Sequence, residues 1–147
     1  MGNRAVIATE NRDIAVYIHW HGGRDSVRAF LTYCLMQNYR CPEEDCYGWA
    51  RLCQVLANFF TSDRPYNKGL SVGIDTYERL KDSADWDNGV YIIKGWRIVD
   101  REECPDEEQN THSLIDILNM IDSEMPERDR LGEDAILKWL ADNQPVE

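Results

Sequence analysis

Two short apolar segments, separated by a polar stretch, open the chain. Residues 3–8 and 14–20 are rich in β-branched and aromatic side chains, and residues 10–13 between them are polar. This pattern is typical of a β-hairpin. Because side chains alternate between the two faces of a strand, the second strand is predicted to carry two sets of side chains. One face is expected to hold Val16, Ile18 and Trp20, and the other Tyr17, His19 and His21.

The apolar spacing then changes to three and four residues, which is typical of α-helices. A first helix is predicted to begin after Gly22-Gly23, with Asp25 or Ser26 as its N-cap, and to stop near Asn38. Its apolar stripe consists of Val27, Phe30, Leu31, Cys34 and Leu35. A second helix after Pro42 is marked by Trp49, Leu52, Cys53, Leu56 and Phe60.

The rest of the pattern predicts three strands and two further helices. A loop at 62–69 is followed by a strand at 70–74 and then by a polar loop at 81–88. A second hairpin comes next, with strands at 90–93 and 96–99 joined across Lys94-Gly95. A third helix capped by Thr111 is marked by Leu114, Ile115, Leu118, Ile121 and Met125. A short fourth helix is marked by Ile136, Leu137, Trp139 and Leu140.

The predicted order is ββααβββαα, which describes an α+β protein. Hairpins favour an antiparallel sheet of about five strands with helices packed on it. A length of 147 residues fits one domain. Within this single domain, residues 1–101 are predicted to form a ligand-binding α+β core, and residues 102–147 an acidic helical C-terminal extension.

The net charge of −11 is unevenly distributed along the chain. Residues 1–99 carry 12 acidic and 12 basic side chains, whereas residues 100–147 carry 15 acidic and 4 basic ones. Duplex nucleic acid is an unlikely partner because binding to phosphate backbones needs a basic face. A small anion fits the composition better, since a few converging arginines bind one without a basic surface.

The sequence also bears on location and redox state. It contains no apolar run of 18 residues and no signal-peptide pattern, so a cytoplasmic protein without membrane contact is expected. Five cysteines are expected to be reduced thiols. A zinc site from Cys41, Cys46 and Cys53 is a weak alternative, because their spacing matches no standard zinc motif.

The segment 19–26 offers the first candidate site, because a strand here runs through two glycines directly into a helix. Glycines let a ligand approach the backbone, and the first amides of a helix attract anions. The candidate ligand-binding residues of this segment and the next helical turn are Trp20, Gly22, Gly23, Arg24, Asp25 and Arg28. A plain strand-to-helix turn capped by Asp25 is the structural alternative.

Two further groups of residues are candidates for ligand contact. Trp86 lies in an acidic loop beside Asp87 and Asn88, where it either stacks on a base or folds back over the sheet edge. Arg97 and Arg101 flank Val99 and are predicted on one face of the last strand, from which they converge on phosphates together with Arg51 of the second helix. Solvated ion pairs are the alternative for these arginines.

Catalytic signatures are sparse. The sequence has no phosphate-binding P-loop, no Gly-x-Ser-x-Gly, no His-Glu-x-x-His and no Cys-x-x-Cys, and no cofactor is expected. His19-x-His21 resembles half of a two-histidine phosphoesterase, but the only other histidine is His112. An enzyme is therefore not the expected class, although a hydrolase using His19 or His21 as general acid or base stays open.

A set of ordered motifs resembles the first type of phage-encoded Thoeris anti-defence protein. The resemblance covers roughly residues 2–101 and rests on these segments: Gly2-Asn3-Arg4-Ala5-Val6-Ile7, His19-Trp20-x-Gly22-Gly23-x-Asp25-Ser26-Val27, Tyr47-Gly48-Trp49-Ala50-Arg51, Ser71-Val72-Gly73-Ile74-Asp75 and Asp87-Asn88-Gly89-Val90-Tyr91. His21 stands where asparagine is more usual in that family.

The resemblance implies a sponge that sequesters cyclic ADP-ribose isomers without cleaving them, in the cytoplasm of an infected bacterium. It implies a homo-oligomer, a dimer that assembles further up to a hexamer, with ligand sites between subunits. It also implies that cyclic di- or trinucleotides are bound by some members. Under this hypothesis Trp20 or Trp86 stacks on adenine, Arg24 and the helix N-terminus hold phosphate, Arg97 or Arg101 neutralises it, and Asp87 and Asn88 bind ribose.

Besides the sponge and the hydrolase, a third hypothesis is that the protein is an interaction module whose acidic C-terminal third binds a partner protein. It predicts that removal of the residues after Arg101 abolishes partner binding. The structural alternative is a solvated acidic surface that keeps the protein soluble.

Overall fold

A five-stranded sheet is the frame of the molecule. The computed structural model describes residues 2–61, 70–108 and 110–143, so the predicted loop 62–69 lies outside the described residues. The strands are β1 Ala5–Thr9, β2 Ile14–Ile18, β3 Val72–Thr76, β4 Val90–Lys94 and β5 Arg97–Glu102. They lie in the order β3-β2-β1-β4-β5.

Five α-helices accompany this sheet. They are α1 Arg24–Met36, α2 Cys46–Phe60, α3 Tyr77–Leu80, α4 Leu114–Glu124 and α5 Glu133–Asn143, with a 3-10 turn at Glu127–Asp129. The α+β class is confirmed. The short α3, which follows β3 at once and is capped by the Thr76 hydroxyl, was not predicted, so the order ββααβββαα is only partly right.

The sheet is mixed, so the prediction of an antiparallel sheet of about five strands is only partly right. Both predicted hairpins are present, but β1 pairs in parallel with β4, with Val6 opposite Val90. Every residue of β1 is buried. A strand covered on both faces carries a continuous apolar run rather than an alternating one, and this is also the usual setting for parallel pairing.

One main hydrophobic core lies between the sheet and the helices. Strands contribute side chains such as Ile7 and Ile18, and α2 contributes Leu52 and Leu56, all fully buried. A smaller cluster that includes Val6 and Ala84 covers the other face of the sheet.

Helix α4 belongs to the main core. Ile117, Leu118, Ile121 and Met125 are each at most 1% exposed and pack in the same cluster as the strands. Ser113 caps this helix by accepting a hydrogen bond from the Asp116 amide, so the predicted cap Thr111 is wrong. The backbone of Thr111 is instead bound to α1, as described below.

Candidate functional site

One end of the sheet gathers most of the predicted site residues. Strands β1 and β4 begin at this end, β2 and β5 finish there, and α1 starts beside them. We call this surface the tryptophan end and define it by Trp20, Gly22, Gly23, Arg24, Asp25, Arg28, Trp86, Asp87, Asn88 and Arg101. Arg51 and Arg97 lie at the opposite end of the sheet.

Trp86 is held outward by a well-anchored loop. Its side chain is fully exposed, and its backbone has a φ of 67°, which is unusual for a bulky residue and costs about 1–3 kcal/mol. The Asp87 carboxylate accepts hydrogen bonds from both Nε and the amide of Arg4 at 2.9 Å. Because the ring stands in solvent, the interpretation in which Trp86 folds back over the sheet edge is wrong.

Asn88 anchors the same loop from beneath. It is 5% exposed, and its side-chain amide donates to Asn3 Oδ1 at 2.6 Å and to the Arg4 carbonyl at 2.8 Å. The bonds of Asp87 and Asn88 therefore hold the loop to the start of β1. They explain how the neighbouring tryptophan is kept in an exposed, strained position.

A second tryptophan at this end, Trp20, follows β2 and is partly exposed. Trp20 is 44% exposed, and its ring meets the edge of His19 at a centroid distance of 5.0 Å. His19 Nδ1 lies 2.7 Å from the Tyr17 hydroxyl. His21 does not share the face of Tyr17 and His19 as predicted. The chain turns at His21 (φ 56°), and its ring packs against Phe59 on the helix side.

The glycines after β2 serve the packing of the chain. Gly22 is buried, and an added Cβ would come within 2.4 Å of the Asn3 carbonyl oxygen. The Tyr91 hydroxyl donates to the Gly22 carbonyl at 2.6 Å. Gly23 is also buried. At Gly22, the space beside the backbone that was expected for a ligand is thus filled by the protein's own backbone.

The first amides of α1 are hydrogen-bonded by side chains of residues other than the N-cap. The N-cap is Gly23, without a side-chain cap, so the predicted cap by Asp25 or Ser26 is wrong. Asp25 Oδ1 accepts from the Ser26 amide at 2.7 Å, and Asn110 Oδ1 accepts from the Asp25 amide at 3.0 Å. These two helix amides, expected to attract an external anion, already have acceptors inside the chain.

Asp25 also ties the C-terminal third to α1. Its Oδ2 accepts hydrogen bonds from the backbone amides of Thr111 and His112, both at 2.8 Å. The carboxylate is 11% exposed, so this clasp is largely shielded from water. The segment before α4 therefore sits directly over the start of α1.

A β-bulge separates the two arginines of β5. Ile92 pairs with Asp100 whereas Ile93 pairs with Ile98, which leaves Val99 as an extra residue. An extra residue reverses which face the following side chains occupy. Arg101 therefore lies opposite Tyr91, on the helix side, and the prediction that Arg97 shares its face is wrong.

Arg101 is built into the protein interior. Its side chain is 9% exposed and pairs with Glu108, and its guanidinium lies 3.8 Å over the Tyr91 ring. One guanidinium nitrogen donates to the Asn88 carbonyl at 2.9 Å, while Nε is buried and has no hydrogen-bond partner in the described structure. Burial raises the pKa of Tyr91, and the charges of Arg101 and Arg24 oppose that rise.

Arg28 and Arg97 are less constrained. Arg28 is half-buried one turn into α1 and forms no ion pair with the residues described. Arg97 is exposed beside the β4–β5 turn, on the sheet face opposite Arg101. Of the two, only Arg28 is placed to serve the tryptophan end.

A small cluster of polar side chains meets at the start of α1. Ser26 Oγ lies 3.5 Å from His21 Nδ1, and His112 Nδ1 lies 3.4 Å from Asp25 Oδ2. The two imidazole rings are 5.7 Å apart. The histidine beside the serine is not the one beside the aspartate, and Ser26 is 2% exposed, so the cluster is not a nucleophilic triad. His112 was not singled out from the sequence.

The other end of the sheet carries an open cleft of about 740 Å³ between the end of α1 and the first turns of α2. Its lining consists of Gln37, Asn38, Tyr39, Arg40, Tyr47, Ala50, Arg51 and Gln54. Only Arg51 was a predicted site residue. A usable signal was present, since Tyr47 and Arg51 are four residues apart in a helix and therefore share a face.

The thiols form no metal site in the described ranges, where no group of three or more histidine, cysteine, aspartate or glutamate side chains is placed to hold a metal ion. Burial raises the pKa of Cys41 to about 11, which keeps this thiol protonated near neutral pH. In the same ranges no helix combines the length and apolar character needed to cross a membrane.

Comparisons with protein-family models, with curated proteins and with solved structures found no match to this chain.

Proposed function

We propose that this protein binds and sequesters a cyclic nucleotide signal, a cyclic ADP-ribose isomer, without cleaving it, in the cytoplasm of a bacterium infected by a phage. The proposal needs no cofactor. The observation that carries it is the fully exposed Trp86, which projects from a loop whose Asp87 and Asn88 are hydrogen-bonded to Arg4 and Asn3 at the start of β1. The motif resemblance supplies the identity of the ligand.

An exposed, preorganised aromatic ring supports this function physically. Stacking of a base on such a ring contributes about 1–3 kcal/mol. Because the flanking hydrogen bonds already fix the loop, little additional ordering is needed when a ligand binds, and tight sequestration depends on that. Trp20 offers a second ring at the same end of the sheet, so an adenine has two candidate partners.

Phosphate recognition at this end points to a site shared between copies of the chain. Arg4 and Arg101 are paired with Asp87 and Glu108, so few cations of one copy are open to a pyrophosphate. Arg24 and Arg28 lie on the first turns of α1 and add positive charge beside this end of the sheet. We therefore propose a homo-oligomer, a dimer or a hexamer, in which a neighbouring copy completes the site. Cyclic di- and trinucleotides are proposed as further ligands on the resemblance alone.

The Trp86→Ala variant is expected to bind a cyclic ADP-ribose isomer about 5- to 160-fold more weakly than the wild type, because a stacking contribution of about 1–3 kcal/mol is lost. Binding is measured by calorimetry, and the bound fraction is then released by heat and analysed by mass spectrometry. The wild type should return the intact cyclic ligand. The control Tyr47→Ala, which removes a 62% exposed ring at the opposite end, should bind normally.

Two outcomes would contradict the sponge. Equal binding by Trp86→Ala and wild type would remove the tryptophan end as the site. Recovery of a linear product would show a hydrolase, the alternative in which His19 or His21 acts as general acid or base. In that case His19→Ala should retain binding and lose turnover.

The native mass is expected to show two or six copies of the chain, with ligand bound only in assembled species. The physical reason is that one copy lacks enough open cations at the tryptophan end. Native mass spectrometry with and without the cyclic ligand measures copies and ligands together. A monomer carrying one tightly bound ligand would refute the shared site while leaving sequestration itself intact.

A further inference from the structure

The cleft beside α2 is lined by positive charge, although the protein as a whole is strongly acidic. The whole protein carries a net charge of −11, yet among the described residues that line this cleft the only charged side chains are those of Arg40 and Arg51. Arg40 is paired with Asp45 at 2.5 Å. Arg51 has no carboxylate partner in the described part of the chain, and its guanidinium donates instead to Gln54 Oε1 at 3.0 Å. The Arg51 guanidinium is thus held in place without being neutralised.

Aromatic rings accompany both arginines. The Arg51 guanidinium lies 4.5 Å from the centre of the Tyr39 ring, and that of Arg40 lies 5.3 Å from the centre of the Tyr47 ring. Tyr47 is 62% exposed. Stacked cations keep their in-plane N–H groups available for an anion, and an exposed ring offers a face to a planar group.

The walls of the cleft are fixed by buried contacts. A Cβ added to Gly48 would come within 2.4 Å of the Cys41 backbone, so this glycine lets α2 pack closely against the segment after α1. The Trp96 indole donates to the Tyr39 carbonyl at 2.9 Å, and Trp96 is 2% exposed. Gln37 donates to the Tyr33 hydroxyl at 3.0 Å. The spacing of the two walls is therefore set before any ligand arrives.

We infer that this cleft is a binding site for a nucleoside monophosphate, separate from the tryptophan end. Arg51 binds the phosphate, the Tyr47 ring stacks on the base, and the side-chain amides of the lining supply hydrogen bonds to the base or ribose. The volume of about 740 Å³ lies within the range of small-molecule sites and exceeds that of one nucleotide. The site takes an anion that also carries a planar ring.

The test uses 5′-AMP, adenosine and inorganic phosphate as separate probes of the full-length protein, with binding measured by calorimetry. AMP is expected to bind at least tenfold more tightly than either fragment. Arg51→Gln and Tyr47→Ala should each weaken AMP binding about tenfold, since each removes one of the two recognition elements. Both side chains are exposed, so both variants should fold.

Arg79→Gln is the matched control, because it removes the same charge from a 78% exposed site on α3 and should leave AMP binding unchanged. Phosphate that binds as tightly as AMP would overturn base recognition, and unchanged AMP binding by both cleft variants would overturn the site. Trp86→Ala should retain AMP binding while binding the cyclic ligand more weakly. This result separates a failure of the cleft from a failure of the sponge.

Discussion

A chain that ends at Arg101 is expected to lose its fold, although the sequence pattern places a boundary between a core and an acidic extension there. The missing segment contains α4, whose apolar side chains complete the main core between α1 and α2. Without them, the inner faces of both helices are open to water. We expect the truncated chain to show no cooperative thermal transition and to accumulate in the insoluble fraction.

The size of the effect follows from burial. Three side chains of α4, Ile117, Leu118 and Ile121, and that of its C-cap residue Met125 are at most 1% exposed. Burying each contributes about 1.5–3 kcal/mol, or about 6–12 kcal/mol together, which is comparable with the whole stability of a domain. Truncation also removes the backbone amides that Asp25 binds.

Circular dichroism and thermal melting of residues 1–101 against the full chain measure this effect. As a control, a full-length chain with Asp106→Asn and Glu107→Gln loses acidic charge at two exposed positions and should melt like the wild type. A soluble, cooperatively melting 1–101 fragment would refute the assignment of α4 to the core.

The expected unfolding of the truncated chain means that truncation is not a clean test of the acidic C-terminal third as an interaction surface. Loss of partner binding on truncation cannot separate a missing interaction surface from an unfolded protein. Neutralisation of exposed carboxylates in the full-length chain makes that separation, because it alters the charge and keeps the core. Most of the acidic residues described in the C-terminal third therefore lie on its solvent side, while its apolar residues belong to the same core as the strands.

The sequence predicted the elements better than their pairing. Hairpins join neighbours in the chain, so β1–β2 and β4–β5 were found from local pattern. The parallel pairing of β1 with β4 joins segments about 85 residues apart, which no local pattern specifies. A hint was available in the continuous apolar runs 5–8 and 90–93, because runs without alternation indicate strands buried on both faces.

The candidate site shows the same division between local and distant information. Trp86 was singled out from its acidic surroundings, although these left open whether it stacks on a base or folds back over the sheet edge. The attachment of the C-terminal third to α1 was not, because Asp25 binds the amides of residues 86 and 87 positions away. The separation of Arg97 from Arg101 depends on a single extra residue at Val99, and strict alternation placed them on one face.

Asp122→Ala is expected to lower the free energy of unfolding by about 3–5 kcal/mol. Asp122 is 5% exposed and joins three parts of the fold. Its Oδ1 accepts hydrogen bonds from the Tyr33 hydroxyl at 2.5 Å and from the Leu131 amide at 2.8 Å, and its Oδ2 accepts from the Gly132 amide at 2.9 Å. The substitution leaves one hydroxyl and two amides without their acceptor.

Burial raises the pKa of Tyr33, and its hydrogen bond to Asp122 adds to the rise, so the phenol stays protonated and acts as a donor. A double-mutant cycle with Tyr33→Phe isolates the contact between Asp122 and the hydroxyl from those to the two backbone amides. We expect a coupling energy of about 1–2 kcal/mol between the two side chains. The remaining loss in Asp122→Ala then belongs to the loop that leads into α5.

Urea denaturation of the single and double variants measures these values, with Asp142→Ala as the matched control. Asp142 is exposed and paired with Lys138 on the surface of α5, so its loss should change stability by less than about 0.5 kcal/mol. If Asp122→Ala were as stable as Asp142→Ala, the carboxylate would not be what joins α1, α4 and α5. The stability of the C-terminal third would then rest on its apolar contacts with the core and on the hydrogen bonds from Thr111 and His112 to Asp25.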